Sequence, residues 1–381
     1  MAAEEHVLVE SALAAASALI GTSLTVVGEP FAGGDRSVVV RARRSDTDET
    51  VVLKSYDVAR TGEGWARETA ALTALTGLST GTPALIAATA LPPLVVMEDL
   101  GDGDSVATAL LAADPANAGQ AVVDWAEALA DLHAATWNDV GRFETTLRNL
   151  GGPRPPNPRA MSDVLTDGVE RLRRAAHPLG IKVDQQVTDE IVAVAARLDS
   201  EVQVLSPFDA CPDNNVRTAT GLRLIDFEGA TVAHPAWDVA YLRVPWPSCW
   251  CAWLVPEAVA ERAQQAWQER LRAAVARRGV EPDWSAMGAA IEVAALVWCV
   301  VTVGWFLPGA LDDRRTGGDG LQSPLQRSVV LHRLGLIADS VAADLGASRR
   351  LARRLAAALP FDRHSHQLPM APAFRTRPRC S

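Results

Sequence analysis

The pattern of apolar residues changes period several times within the first hundred residues and is predominantly helical afterwards, and this contrast constrains the fold more than any other feature. After an opening helical stretch, the first hundred residues contain short β-rich runs at 24–27, 37–42 and 50–53. The second and third runs are separated by the polar turn RRSDTDE, which predicts a hairpin. A helical stretch at 63–75 and another apolar run, LPPLVVMEDLG, follow. Strands, one helix and more strands predict a small α+β lobe.

From about residue 104 onward the pattern is predominantly helical. It is interrupted once, by the β-like pieces VQVLSPFD and LRLIDFEG. We therefore predict a first lobe over 1–100 and a helical lobe over 101–360. The remaining residues, 361–381, are rich in Pro and Arg and are predicted to be disordered.

The charge balance argues against two classes of partner. The chain has 36 basic and 46 acidic residues, which gives a net charge of -10 at pH 7. A charge of this sign opposes binding to a nucleic-acid backbone and to an anionic membrane surface. We therefore expect neither nucleic acid nor membrane as a partner.

One apolar stretch approaches the length that crosses a bilayer. Residues 293–311 include no charged side chain. The stretch is interrupted by Gly304 and Pro308, and the charged residues 312–315 follow it at once. A helix that is surrounded by protein also has no polar face, so we predict a buried core helix.

The cysteines and the N-terminal residues are the features of the sequence that indicate the cellular compartment. The five cysteines are odd in number, and none forms a pair with the two-residue spacing of zinc or redox sites. The start, MAAEEHVLVE, has two acids where a secretory signal would carry positive charge. We expect reduced thiols, no targeting peptide and a cytoplasmic location.

A lysine on an early β-rich run is the first candidate functional residue. Lys54 follows the apolar residues of VVLKSY, and Glu68 lies about fourteen residues later in the helical stretch. A lysine held by a helix glutamate can present its ammonium group to the α- and β-phosphates of a nucleotide. A lysine at a strand end that only reaches water would look the same, so the pair alone leaves both interpretations open.

Two further polar motifs follow apolar runs in the helical half. In SPFDACPDNN, Asp209 precedes Asn214 by five positions. On a loop, this spacing lets the carboxylate meet an incoming hydroxyl while the amide oxygen reaches a metal ion, although turns rich in Asp, Asn and Pro are common. Asp226 ends the apolar run of LRLIDFEG. A carboxylate there must be paired or bound to a cation, and Mg²⁺ prefers such oxygen ligands.

The order and spacing of these motifs resemble those of the aminoglycoside phosphotransferase family. The resemblance covers roughly residues 20–345 and extends to choline, homoserine and fructosamine kinases. It implies an α+β, bilobal, protein-kinase-like fold, with a small N-terminal β-sheet lobe containing one helix and a large, mainly helical C-terminal lobe. It also implies that ATP (or GTP) and Mg²⁺ serve to transfer the γ-phosphoryl group to a hydroxyl of a small molecule, such as an aminoglycoside, an amino sugar or an amino alcohol.

The resemblance assigns roles residue by residue. It makes Asp209 the catalytic base, and Asn214 and Asp226 the magnesium ligands. The nucleotide-binding residues that it implies are the phosphate-binding lysine and its partner, the glycine-rich turn, and backbone groups of the hinge: Lys54, Glu68, Gly33, Gly34, Glu98 and Leu100. Two further positions match family features with supporting roles, His133 in packing and Asp238 beneath the catalytic loop.

The catalytic loop departs from the family pattern. Family members usually have His-Gly-Asp, and here those positions are Pro207, Phe208 and Asp209. The histidine normally braces the loop, so its loss predicts altered loop packing. A nucleotide-binding pseudokinase with a scaffold or regulatory role is the alternative hypothesis, and magnesium-dependent nucleotide binding without turnover would favour it.

The acceptor site of the family is built from helices of the large lobe. The corresponding regions, 244–256 and 298–306, are dense in tryptophan. Tryptophan faces can stack on a sugar ring or a cation, and core packing between helices is the alternative. The sequence leaves open the acceptor, the hydroxyl modified, the choice of ATP or GTP, the oligomeric state, and a resistance or metabolic role.

Overall fold

The structure is a computed structural model. It describes residues 2–31, 37–57, 62–78, 80–151, 156–159, 161–198, 202–317, 322–341, 344–359 and 367–375. The residues of the predicted glycine-rich turn, Gly33 and Gly34, lie outside the described residues.

The first part of the chain forms one antiparallel sheet. Its strands are β1 (Leu24–Val26), β2 (Ser37–Arg44), β3 (Thr50–Tyr56), β4 (Leu85–Ala90) and β5 (Pro93–Glu98). They are ordered β1-β2-β3-β5-β4, and every neighbouring pair is antiparallel. The predicted hairpin between the second and third β-rich runs is therefore present.

Two helices cover the two faces of this sheet. Helix α1 (Ala2–Ile20) packs on the face that carries Leu53 and Val96, whereas α2 (Gly64–Leu75) packs on the face that carries Val95 and Met97. Successive strand residues point to opposite faces. Because Leu53 faces α1, Lys54 faces α2 and the larger lobe.

The rest of the chain is mainly helical. Its principal helices are α3 (Val106–Leu111), α4 (Pro115–Thr136), α5 (Gly141–Leu150), α6 (Met161–Ala176), α7 (Gln185–Ala195), α8 (Ala236–Val239), α9 (Glu257–Ala276), α10 (Trp284–Leu311), α11 (Gln326–Asp339) and α12 (Gly346–Ala358). Two short strand pairs interrupt them. Strand β6 (Val204–Ser206) pairs with β9 (Thr231–Ala233), and β7 (Asn215–Thr218) pairs with β8 (Gly221–Leu224). The predicted catalytic motifs lie in the loops between these strands.

Helix α10 contains the long uncharged stretch. By length and composition it could cross a membrane, but 67% of its most apolar window is buried inside the protein. Trp298, Cys299 and Thr302 are fully or almost fully buried. A Cβ atom on Gly304 would collide with the backbone of α6, so the two helices approach closely at this glycine. As predicted from the sequence, the stretch packs in the core of the larger lobe.

The predicted disorder of 361–381 is wrong for the described residues 367–375. Leu254 donates its backbone N–H to the C=O of Pro369, and Ala371 donates to the C=O of Leu254. Leu368 and Ala371 are buried. The prediction was based on a composition rich in Pro and Arg. It did not take into account the few apolar side chains that pack on the surface of the larger lobe.

Candidate active site

A buried charge cluster joins the two lobes. The ammonium nitrogen of Lys54 lies 2.7 Å from Glu68 Oε2 and 2.6 Å from Asp226 Oδ1. Glu228 Oε2 is 3.3 Å from the same nitrogen. Burial disfavours the charged ammonium group, but the surrounding carboxylates outweigh it and raise the pKa of Lys54 well above its ordinary value. The structure therefore brings the predicted lysine, its helix partner and the predicted metal aspartate together in one cluster.

Glu68 is the organising residue of this cluster. Its carboxylate accepts hydrogen bonds from the Tyr56 hydroxyl and, at 3.3 Å, from the backbone N–H of Phe227. Phe227 follows Asp226, whose backbone φ of 64° lies in the left-handed region. Glu68 thus fixes both the lysine on β3 and the turn that carries Asp226, so that small-lobe and large-lobe residues share one site.

The hinge residues connect the lobes next to this cluster. The N–H of Glu98 donates to the C=O of Ala84 at 2.9 Å, and its carboxylate accepts from Arg223 at 3.1 Å. The backbone groups of Leu100 make no hydrogen bond within the described residues. The predicted role of these two residues in binding adenine stays a prediction.

The loop between β6 and β7 carries Asp209 and Asn214. The amide nitrogen of Asn214 donates to the backbone C=O of Asp209 at 2.8 Å. The C=O of Asn214 accepts from the N–H of Ile225 at 3.1 Å, which places its backbone beside the residue before Asp226. Within the described residues, the Asn214 amide oxygen has no hydrogen-bond partner, and it is the kind of hard oxygen donor that Mg²⁺ takes. The donor chemistry of Asn214 and Asp226 therefore fits magnesium.

Phe208 occupies a strained backbone position directly before Asp209. Its φ of 67° is left-handed, which favours glycine, the residue that the family pattern has there. The N–H of Phe208 donates to Ser206 Oγ at 2.9 Å, and its C=O accepts from the Tyr241 hydroxyl at 3.0 Å. These two bonds hold the conformation that the side chain disfavours.

A buried polar chain braces the start of the loop that carries Asp209. Ser206 Oγ donates to Asp238 Oδ1 at 2.7 Å, and His133 Nε2 lies 2.9 Å from Asp238 Oδ2. The indole N–H of Trp267 donates to His133 Nδ1 at 3.1 Å, so Nδ1 accepts and Nε2 carries the proton. The supporting roles predicted for His133 and Asp238 agree with this placement beneath the loop.

The carboxylate of Asp209 contacts residues that the sequence did not single out. Ser248 Oγ donates to Asp209 Oδ1 at 2.6 Å, and the Tyr241 hydroxyl is 2.7 Å from Ser248 Oγ. Burial, reinforced by the nearby Asp209 carboxylate, raises the pKa of Tyr241 well above its ordinary value, so the phenol keeps its proton. The only signal for Ser248 in the sequence was its place in the tryptophan-dense stretch.

The prediction that all cysteines are reduced is wrong for one pair. Cys211 and Cys249 form a disulfide, with their Cα atoms 5.9 Å apart. They lie 38 residues apart in sequence, and only the fold brings their loops together. Cys251 and Cys299 are free and buried. The bridge joins the loop of Asp209 to the loop of Ser248.

The tryptophans of the predicted acceptor region divide into two groups. Trp246, Trp253 and Trp298 are buried, so core packing accounts for them. Trp250 and Trp305 are partly exposed, and the indole N–H of Trp250 donates to Asp213 Oδ2 at 2.6 Å. Burial raises the pKa of Asp213. Trp250 and Asp213 thus place one aromatic face and one acidic group beside the catalytic loop.

Comparison with known proteins identifies the family. The model of the phosphotransferase enzyme family matches residues 28–287. Because the match spans more than half of the chain, the protein belongs to this family. A comparison with curated proteins finds no significant match.

Solved structures agree on the fold. A candidate aminoglycoside phosphotransferase from Ralstonia eutropha JMP134 superimposes with a TM-score of 0.50 at 14% identity, over 92% of this chain and 98% of that chain. Choline kinase from Cryptosporidium parvum Iowa II superimposes with a TM-score of 0.50 at 11% identity, over 87% of this chain and 93% of that chain. At such identities the likeness shows the fold alone, and it confirms the predicted bilobal kinase-like architecture.

Proposed function

We propose that this protein transfers the γ-phosphoryl group of ATP (or GTP), with Mg²⁺, to a hydroxyl of a small molecule. The observation that carries the proposal is the assembly of Lys54, Glu68 and Asp226 in one buried cluster, next to a loop that holds Asp209 and Asn214. Phosphoryl transfer depends mainly on positioning and on neutralising charge. The cluster and the loop provide groups suited to positioning the reactants and to neutralising charge.

Each residue has a distinct role in the proposed reaction. Lys54 contributes a permanent positive charge for the nucleotide phosphates, and Glu68 keeps that charge in place. Asn214 and Asp226 hold magnesium, which neutralises phosphate charge when it is bound. Asp209 orients the acceptor hydroxyl and accepts its proton.

The reaction balances without any further reactant. The acceptor oxygen forms a bond to the γ-phosphorus, and the bond from that phosphorus to the bridging oxygen of the β-phosphate breaks. The hydroxyl proton goes to the Asp209 carboxylate, and ADP (or GDP) leaves with the electron pair.

The acceptor class that we propose comprises aminoglycosides, amino sugars and amino alcohols. The site presents Trp250 beside Asp213, and such a pair suits a cationic group.

The test is nucleotide turnover by purified protein with magnesium and a panel of such acceptors. We expect acceptor-dependent release of ADP and a phosphorylated product by mass spectrometry. Asp209→Asn keeps the size of the side chain and removes the base, so turnover should fall by about 10²–10⁴-fold. Asp312→Asn, at a surface residue beyond α10, is the matched control and should retain wild-type turnover.

One observation favours a second function. Pro207 and Phe208 replace the residues that usually precede the aspartate in this family. This replacement suits a pseudokinase that binds nucleotide as a regulator or scaffold. Magnesium-dependent nucleotide binding in calorimetry, with no transfer to any acceptor, would support this function and contradict the first.

A further inference from the structure

The hydrogen bond between Ser248 and Asp209 joins two loops that are far apart in sequence. The two residues are separated by 39 positions, and Ser248 lies between the 3₁₀ turn Ala240–Leu242 and α9. Its Oγ is 2.6 Å from Asp209 Oδ1. This length is typical of a hydroxyl that donates to an ionised carboxylate, which is the stronger kind of hydrogen bond.

Three anchors hold the Ser248 loop against the catalytic loop. The Tyr241 hydroxyl contacts Ser248 Oγ at 2.7 Å and also donates to the C=O of Phe208. The disulfide from Cys249 to Cys211 begins at the residue after Ser248 and ends two residues after Asp209. Ser248 is therefore held beside Asp209 by its contact with Tyr241 and by the covalent bond at the next residue.

The third anchor is a buried arginine on α11. The guanidinium of Arg333 is 1% exposed and donates to the C=O of Pro247, the residue before Ser248, at 2.8 Å. Its guanidinium carbon lies 4.9 Å from the centroid of the Phe306 ring, and it has no ion-pair partner among the described residues. Burying a cation without a counter-charge is costly, so the hydrogen bond to Pro247 is a strong restraint on both groups.

We propose that Ser248 is a positioning residue for the phosphoryl transfer: its hydroxyl fixes the rotation of the Asp209 carboxylate towards the acceptor. This inference rests on the proposed function, because it needs Asp209 to be the base. The arrangement also accounts for the lost His-Gly pair. Ser206 and Asp238 brace the loop before the base, and Ser248 braces the base itself.

Kinetics of Ser248→Ala test the proposal. We expect kcat to fall by about 10- to 100-fold, because a hydrogen bond to a charged group is lost, while KM for the nucleotide changes by less than about twofold. Ser248→Thr keeps the hydroxyl and should recover most of the activity.

A matched control separates this role from general loosening of the lobe. Ser323 is a buried serine that accepts from the Gly317 N–H and makes no contact with Asp209. Ser323→Ala should keep the wild-type kcat and the wild-type KM for the nucleotide. An unchanged kcat in Ser248→Ala, or an equal loss in Ser323→Ala, would overturn the proposal.

Crystal structures decide the proposal independently of turnover. We expect the Asp209 carboxylate in Ser248→Ala to rotate away from its wild-type position. If the wild type phosphorylates none of the acceptors, the proposed function fails, but the rotation still tests the positioning role. An Asp209 side chain that keeps its wild-type rotamer without the serine hydroxyl would show that Ser248 does not position it.

Discussion

The two halves of the candidate active site are held together by different physical means. The half that we propose binds the nucleotide, called the nucleotide half, depends on buried charge, with Lys54 within 3.3 Å of three carboxylates. The half that we propose receives the acceptor, called the acceptor half, depends on neutral donors and a covalent bond, with Ser248, Tyr241 and the disulfide around Asp209. Coulombic attraction tolerates small displacements, whereas a hydrogen bond to a base needs a fixed geometry. The first half therefore suits binding of a polyanion, and the second suits precise placement of a proton acceptor.

Breaking the disulfide should produce the largest effect on stability. Because Cys211 and Cys249 lie 38 residues apart, chain-entropy arguments give a loss of about 4 kcal/mol in the free energy of unfolding on reduction. Urea denaturation of the wild type with and without reductant measures it. The double variant Cys211→Ser/Cys249→Ser is the control, and its unfolding midpoint should not respond to reductant. Alkylation of both thiols in denatured, unreduced protein would contradict the bridge.

Removing the ammonium group of Lys54 from the nucleotide half should reduce turnover, which is the second effect in order of size. Lys54→Met leaves Glu68, Asp226 and Glu228 without their shared cation, so turnover should fall by about 10²–10³-fold. The exposed Lys182 offers a matched control, and Lys182→Met should behave as the wild type in the same assay. Turnover of Lys54→Met within about threefold of the wild type would show that the buried cluster does not serve the reaction.

Acid should lower the free energy of unfolding because His234, in the acceptor half, is kept neutral by the fold. This is the smallest of the three effects. Its burial lowers its pKa from 6.5 to about 4, and its ring accepts from the N–H of Ala236 at the start of α8, which carries Asp238. The folded protein thus keeps this ring neutral. Above pH 6.5 the ring is neutral in both the folded and the unfolded state, and its contribution to the free energy of unfolding is fully present. As the pH falls from 6.5 to about 4, the unfolded state takes up the proton first. The free energy of unfolding therefore decreases by up to about 3 kcal/mol.

A variant isolates this contribution to the pH dependence. Asn at position 234 can accept the same backbone N–H and does not titrate. Denaturation of His234→Asn and wild type between pH 4 and pH 7 should therefore show a shallower pH dependence in the variant. Identical slopes in the two proteins would exclude His234 as the group responsible.

The two halves also differ in how far the sequence predicted them. Lys54, Glu68 and Asp226 follow recognisable strand and helix patterns, and the structure brings them together as expected. Ser248 and Tyr241 lie in a stretch whose pattern showed only apolar and aromatic residues. A hydrogen-bond donor on an irregular loop carries no periodic signal, so no inspection of the sequence would have placed it beside Asp209.

The sequence by itself determined the lobes, the core helix α10 and the ordered set of charged residues, because periodicity and spacing are local properties of a chain. Only the tertiary structure decided the pairing of Cys211 with Cys249, the docking of 367–375 and the contact of Ser248 with Asp209. Each of these depends on two distant segments meeting on a packed surface. Such a meeting is a consequence of how the whole core packs, and neither segment encodes it alone.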